Sequence, residues 1–113
     1  KGDATWYHSY DEVVQGARDS GKPMIVYFTQ GGVPKAQEFE KTTLMTDEFN
    51  AQAAKKNFVC VFEDVTKNKL TAYKFGAVRV PHVIVLARNG ETAAEFSYNI
   101  DKAKLFGAME AVN

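Results

Sequence analysis

The chain has 113 residues, of which 45% are hydrophobic and 25% are charged, as expected for a soluble globular domain with one core. Fourteen basic residues balance fourteen acidic ones, which argues against a nucleic-acid-binding protein. The single cysteine, Cys60, excludes an intrachain disulfide, a Cys-x-x-Cys motif and a multi-cysteine metal site.

The first predicted helix begins after Ser9 and ends before Gly21. Ser9 and Glu12 have the capping-box spacing, in which a serine caps the helix and a glutamate three residues later returns a hydrogen bond. Apolar residues then recur at helical spacing, and Gly21 is suited to end the helix. Trp6, ahead of the cap, is expected to fold back onto the core.

Residues 24–41 predict a strand, a short loop and a helix. Met24–Thr29 is an unbroken apolar and β-branched run, which is typical of a strand buried on both faces. Residues 30–32 interrupt this run, and Pro34 suits the first turn of the following helix. Such a unit places a helix N-terminus at the carboxyl end of a strand, where open α/β sheets usually carry their sites.

Two consecutive threonines, Thr42 and Thr43, weaken this helix, and Thr46 has the pattern of a new N-cap followed by two acids. The sequence therefore predicts either one kinked helix or two successive helices, ending near residues 56–57. Met45 and Phe49 share a helical face and are predicted to lie in the core.

Residues 58–65 predict a second buried strand with Cys60 at its centre. A nucleophilic cysteine needs exposure and a cationic or helix-terminal setting, so Cys60 is interpreted as an inert buried thiol. Glu63 and Asp64 follow where the strand leaves the core, and both are predicted to be solvated. An acid–base role for this pair is disfavoured because no histidine lies nearby in sequence.

A short helix over residues 70–75 leads through a loop to a third strand that begins at His82. Asn89-Gly90 follows this strand and favours a type I′ hairpin, with residues 92–98 as the returning strand. Apolar residues at helical spacing predict a final helix over residues 105–112. The order of elements, with right-handed crossovers, predicts a mixed sheet of four or five strands between two helix layers.

Three segments together resemble the thioredoxin fold, and the resemblance covers essentially the whole chain. Residues 21–29 resemble the strand before the active site of thioredoxin-like proteins that reduce or exchange disulfides in secretory and periplasmic compartments. Residues 57–65 resemble their next parallel strand. Residues 75–86, followed by Asn89-Gly90, resemble a pattern of Gly-Val, a cis proline, a strand and Asp/Asn-Gly.

The resemblance implies an α/β protein: a single domain, residues 1–113, folded as a three-layer α/β/α sandwich with a C-terminal β-hairpin. It also implies a cis peptide bond before Pro81. A secreted or periplasmic location is favoured, with a targeting segment removed from upstream of the given sequence.

The departure from the family lies at its reactive motif. Val33-Pro34-Lys35-Ala36 stands where the family has Cys-Pro-x-Cys. The dithiol reaction needs a thiolate of low pKa at a helix N-terminus and a second thiol to resolve the intermediate, and neither valine nor alanine supplies one. The resemblance places Cys60 in a strand away from this loop. We therefore expect a naturally degenerate, redox-inactive member without cofactor or metal.

Three functions remain open. The first is a non-catalytic module that binds a protein or an extended peptide, without nucleic acid binding or membrane insertion. The resemblance places its groove at a degenerate active-site loop and a cis-proline loop, where backbone groups can pair with an extended chain. The predicted contacts are Gly31, Gly32, Val33, Pro34, Lys35 and Ala36 in the first loop, and Arg79, Val80, Pro81 and His82 in the second.

The second possibility is an enzyme or an anion-binding protein. Lys35 at a helix N-terminus would hold the anion, and His82 would carry a proton. The nucleotide-binding P-loop motif is absent, and the ordinary interpretation of His82 is a partly exposed residue that starts a strand. The third possibility is a structural subunit of a larger assembly.

Overall fold

The computed structural model describes residues 5–113, which form a five-stranded mixed sheet with helices on both faces. The strands are β1 (Trp6–Tyr7), β2 (Met24–Thr29), β3 (Val59–Asp64), β4 (His82–Leu86) and β5 (Thr92–Ser97). Their order across the sheet is β1-β3-β2-β4-β5, with β1, β3 and β2 parallel and with β4 antiparallel to both β2 and β5. The predicted three-layer sandwich is confirmed.

The helices are α1 (Tyr10–Asp19), α2 (Pro34–Phe39), α3 (Asp47–Lys55), α4 (Lys69–Lys74) and α5 (Lys102–Ala111). A π-helical segment, Glu40–Leu44, follows α2 directly. Among residues 5–113, the helices are all too short or too polar to cross a lipid bilayer.

Strand β2 supplies residues to both cores, because successive side chains along a strand point to opposite faces. Ile25 and Tyr27 pack with side chains of α2, α3 and α5 on one face. Val26 and Phe28 pack with α1 and α4 on the other. The whole strand is buried, as its unbroken apolar run predicts.

Strand β1 was not predicted, since two residues are too short to show a periodic pattern. Trp6 pairs with Cys60 of β3, and its ring stacks on that of Phe49 with a centroid distance of 5.6 Å. The expected packing of Trp6 onto the core is therefore confirmed, and β1 is the means by which the chain achieves it.

The capping box at α1 is not formed. Ser9 occupies the N-cap position, but its side chain makes no capping hydrogen bond. Instead the backbone N–H of Tyr10 donates to Glu63 Oε2 at 2.5 Å, and Asn68 Nδ2 donates to Glu63 Oε1 at 2.5 Å. Glu63 is only 1% exposed, so the prediction that it is solvated was wrong. Its carboxylate accepts from the first helical N–H, which has no partner within the helix.

The chain forms two successive helices after β2, one of the two predicted alternatives. The π-helical segment ends where the N–H of Met45 donates to the carbonyl of Glu40 at 2.8 Å. Thr46 then caps α3, accepting from the Phe49 N–H at 3.1 Å, as predicted. Met45 is 66% exposed, so its assignment to the core was wrong. It lies outside helical geometry, with φ −98° and ψ 51°, and so leaves the face that Phe49 occupies.

The hairpin between β4 and β5 is confirmed, but its turn is not type I′. That turn requires a positive φ at two central residues, whereas only Gly90 has one, at 89°. The N–H of Gly90 donates to the carbonyl of Ala87 at 2.9 Å, and the N–H of Ala87 donates to the carbonyl of Glu91 at 2.8 Å. These bonds define a three-residue loop, in which a type I turn is followed by a glycine bulge.

Candidate functional site

The predicted site residues lie together at one end of the strands of the sheet. The parallel strands β2 and β3 end there, and β4 begins and β5 ends there because each is antiparallel to its neighbour. Two segments form the candidate site. The glycine loop comprises residues 31–36, which lead into and begin α2, and the proline loop comprises residues 79–82, which lead into β4.

The glycine loop presents an open surface at its first residues. Gly31 and Gly32 are exposed, and a Cβ added to either would meet no atom within 4 Å. Gly32 has φ +81°, which a residue with a side chain rarely adopts. Val33 is half-buried at the N-cap of α2, and Pro34 is exposed at its first turn. Ala36 is fully buried, so the exposed part of this loop ends at Lys35.

A polar cluster lies beneath the glycine loop. Tyr27 donates its hydroxyl to Glu40 Oε2 at 2.8 Å, and Thr29 donates its hydroxyl to the same oxygen at 3.0 Å. Burial raises the pKa of Tyr27, so its hydroxyl keeps the proton that it donates. The cluster joins β2 to the junction between α2 and the π-helical segment.

The proline loop leaves backbone groups without partners. Among residues 5–113, no hydrogen bond involves the backbone N–H or carbonyl of Arg79 or Val80. Arg79 is exposed and Val80 is half-buried, so these groups lie near solvent. The Val80–Pro81 peptide bond is cis, as the resemblance implies. Pro81 itself is buried, and its carbonyl accepts from the N–H of Tyr98 at 2.7 Å.

His82 is buried rather than partly exposed, and that prediction was wrong. It is 4% exposed because β4 is an inner strand, on which His82 pairs with Phe28 on one side and Ser97 on the other. Its Nε2 lies 2.7 Å from Glu95 Oε2. A carboxylate only accepts, so Nε2 carries the hydrogen. Within residues 5–113, His82 Nδ1 has no hydrogen-bond partner.

The structure does not bring together Lys35 and His82, the two side chains used by the hypothesis of an enzyme or anion-binding protein. Lys35 extends over the ring of Tyr98, with its Nζ 5.0 Å from the ring centroid. His82 instead forms a hydrogen bond with Glu95. Helix α2 also has only six residues before the π-helical segment begins. The structure therefore gives the two side chains separate surroundings.

Tyr98 connects the two loops and was missed by sequence reasoning. The guanidinium carbon of Arg79 lies 4.1 Å from the centroid of its ring, and Lys35 of the glycine loop contacts the same ring. The hairpin pattern contained a signal for this position. Since β5 runs antiparallel to β4, the residue that follows β5 must lie beside the residue that precedes β4.

Cys60 lies outside the site. It is 1% exposed on β3, where it pairs with Trp6 of β1 and with Ile25 of β2. Burial raises the pKa of its thiol to about 12, so it stays protonated at neutral pH. The predicted burial of Cys60 is confirmed.

Two surface clefts lie away from both loops. One, of about 350 Å³, opens between α1 and the edge of the sheet and is lined by residues such as Gly16 and Val59. The other, of about 370 Å³, lies beside the start of α4 and is lined by residues such as Asp11 and Asn68. In the described part of the chain, no group of three or more His, Cys, Asp or Glu side chains is arranged to hold a metal ion.

Comparison with protein families agrees with this fold. A family model described as thioredoxin-like matches residues 5–87, which is well over half of the chain. The chain therefore belongs to the thioredoxin-like family. A comparison with curated protein sequences finds no match.

Solved structures show the same fold at low sequence identity. A DsbH oxidoreductase has a TM-score of 0.79 and 16% identity, with 97% of this chain and 87% of that chain covered. A thioredoxin from Thermus thermophilus has a TM-score of 0.80 and 17% identity, with 96% and 86% covered. The C-terminal domain of DsbD from Neisseria meningitidis, in its oxidised form, has a TM-score of 0.72 and 16% identity, with 96% and 100% covered. At these identities, the similarity establishes the fold alone.

Proposed function

We propose that this protein is a redox-inactive thioredoxin-like domain that binds an extended segment of a partner protein across the glycine and proline loops. One observation carries the proposal: the ring of Tyr98 contacts both Lys35 and Arg79. The contact places the two loops side by side at one edge of the sheet, so a single extended segment can reach both.

The proline loop has backbone groups that can form hydrogen bonds with a bound segment. The backbone N–H and carbonyl groups of Arg79 and Val80 have no partner within residues 5–113, and an extended chain can satisfy them by strand addition. Each such hydrogen bond contributes only about 0.5–1.5 kcal/mol net. Useful affinity therefore needs apolar contact as well, and the half-buried side chain of Val33 is positioned in the glycine loop to provide it.

The glycine loop allows close approach. The space above Gly31 and Gly32 is open, so a ligand backbone can lie directly against the loop. Val33 and Ala36 replace the two thiols that the family uses, and the one cysteine of the chain is buried elsewhere. A bound segment would meet no reactive group in this loop, which suits retention rather than turnover.

Replacing Val33 by aspartate tests the proposal. The variant Val33→Asp puts a charge at the apolar contact, and we expect it to weaken peptide binding by about tenfold or more. Aspartate is a favourable N-cap residue, so α2 should be preserved in this variant. The measurement is titration of the full chain with an extended peptide selected from a peptide array, followed by fluorescence anisotropy.

Met45→Asp is the matched control, since it introduces the same charge at an exposed apolar residue beyond the π-helical segment. It should bind the selected peptide as the unmodified protein does. Unchanged binding by a correctly folded Val33→Asp variant would show that the groove is not the site. An interface on an outer helix face would then become the better explanation.

A further inference from the structure

We infer that the groove selects a partner segment that carries acidic side chains, and that Lys35, Arg79 and Tyr98 form the element that recognises them. This inference rests on the proposed function, because it specifies the chemistry of the segment bound there.

The two cations are held in place but are not neutralised. Both lie against the ring of Tyr98, at 5.0 Å for Lys35 and 4.1 Å for Arg79. Within the described part of the chain, neither has a carboxylate within 4.0 Å, although three such pairs form elsewhere. A ring that orders two charged side chains in advance lowers the entropy that they lose when they bind a carboxylate.

The segment of the chain that carries the proline loop is basic in sequence. Residues 65–90 contain five basic residues and no acidic one. Three acids, Glu38, Glu40 and Glu95, lie in elements next to the two loops, and the hydroxyls of Tyr27 and Thr29 donate to Glu40. Glu38 lies one helical turn from Lys35 without pairing to it, and Glu95 directs one oxygen to His82. Of the five cations in this segment, Arg79 belongs to the proline loop, whereas Lys67 and Lys69 line the cleft beside the start of α4. Cations left unpaired within residues 5–113, such as Arg79 and Lys35, favour an acidic partner and speed its encounter.

The same segment of the chain carries exposed apolar side chains. Leu70 and Tyr73, one turn apart on α4, are 85% and 86% exposed, and Val78 beside the proline loop is 89% exposed. An extended protein segment that mixes acidic and apolar residues would complement both features. This mixture, together with the unpaired backbone of Val80, favours a protein segment over a lipid surface as the occupant.

The backbone of Tyr98 supports a role for its ring. Its φ is +64°, a region that tyrosine disfavours and that glycine or asparagine adopts more readily. The hydrogen bond from its N–H to the carbonyl of Pro81 holds this conformation. A large aromatic side chain thus stands where the backbone favours a small residue, and its ring contacts are with the two cations.

The test uses the full chain and labelled extended peptides that differ only at alternate positions, occupied by Glu, Gln or Lys. Fluorescence anisotropy at low ionic strength measures each affinity. The Glu peptide should bind about tenfold more tightly than the Gln peptide, the discrimination that one charge-assisted hydrogen bond supplies. The Lys peptide should bind most weakly, and added salt should reduce all these differences.

Variants assign the preference to the three residues. The double variant Lys35→Gln with Arg79→Gln should bind the Glu and Gln peptides with equal affinity, so that the preference for Glu is lost. Tyr98→Phe should keep the preference and Tyr98→Gly should reduce it, because only phenylalanine retains a ring. Lys22→Gln with Lys55→Gln removes the same charge at the opposite edge of the sheet and should keep the preference.

Each outcome separates this inference from the proposed function. Equal binding of the Glu and Gln peptides, with both weakened by Val33→Asp, would overturn the acidic preference and leave the groove in place. No binding of any peptide would overturn both. Binding of the protein to phosphatidylserine vesicles is the alternative outcome. If the unmodified protein binds these vesicles, the double variant does not, and the Glu and Gln peptides bind equally, then the two cations recognise a lipid surface and the inference is wrong.

Discussion

At the scale of single residues, burial decides what Cys60 can do. Only a thiolate reacts with thiol reagents, and burial raises the pKa of Cys60 to about 12. At about pH 8, roughly one thiol in ten thousand is therefore ionised, against a substantial fraction for an unfolded cysteine. We expect slow labelling of the native protein by a chromogenic disulfide reagent.

The same sample in denaturant provides the reference, in which Cys60 should label at the rate of an ordinary exposed thiol. Labelling of the native protein at the denatured rate would show that Cys60 is accessible. The interpretation of the buried strand β3 would then have to be revised.

Two other residues show where sequence reasoning fails at this scale. Glu63 and His82 lie at strand ends and were predicted to reach solvent, yet each is almost fully buried. Their partners come from distant parts of the chain. Glu63 accepts from the N–H of Tyr10, 53 positions earlier, and His82 bonds Glu95, 13 positions later. The local sequence pattern predicts the strand. Whether a polar side chain at the end of that strand is buried depends on residues that are distant in sequence.

At the scale of elements, the carboxylate of Glu40 joins β2 to the junction of α2 and the π-helical segment. Glu40→Ala should lower the free energy of unfolding by about 1.5–3 kcal/mol, because it removes a charge-assisted acceptor and leaves the buried hydroxyl of Tyr27 with only the carbonyl of Ala36, at 3.4 Å. Thr29 loses the same acceptor. Chemical denaturation followed by circular dichroism measures this change.

Glu38→Ala is the matched control for Glu40→Ala, since Glu38 is an exposed residue of α2 only two positions away. Its effect should stay within about 0.5 kcal/mol, as for most surface substitutions. Equal effects of the two substitutions would indicate that helix propensity, rather than the hydrogen bonds of Glu40, accounts for the loss.

Sequence patterns within a single helix or turn predicted the structure correctly where all the interacting groups lie in that element. Thr46 caps α3 as predicted, since an N-cap needs only its own side chain and an N–H three residues later. The turn at Asn89-Gly90 was assigned the wrong type, because this dipeptide suits more than one hairpin loop. The loop has three residues rather than two, and the register of β4 with β5 is irregular between Val85 and Leu86, near this loop.

At the scale of the whole molecule, unbroken apolar runs and the order of elements were enough to predict the layers and the mixed sheet. The candidate groove was predicted only in part. The two loops were placed by resemblance, whereas Tyr98, which joins them, needed the register of the hairpin in three dimensions. Two properties of the candidate site, the contact of Tyr98 with both cations and the unpaired backbone groups of Val80, depend on segments that are distant in sequence.

The absence of paired thiols leads to a prediction for the whole protein. It should not accelerate the reduction of insulin disulfides by dithiothreitol above the rate without protein, because exchange needs an exposed thiolate and a second thiol. Its one thiol is buried on β3. The double variant Val33→Cys with Ala36→Cys restores the spacing at the start of α2, where a helix N-terminus lowers a thiol pKa.

This double variant should accelerate the assay, which would show that the scaffold is competent and that only the thiols are missing. An inactive but folded double variant would mean that the surroundings of the glycine loop have also lost the capacity for exchange. Turnover by the unmodified protein would contradict the prediction directly. Because Cys60 is its only thiol, the next step would be to test whether that activity disappears in Cys60→Ala.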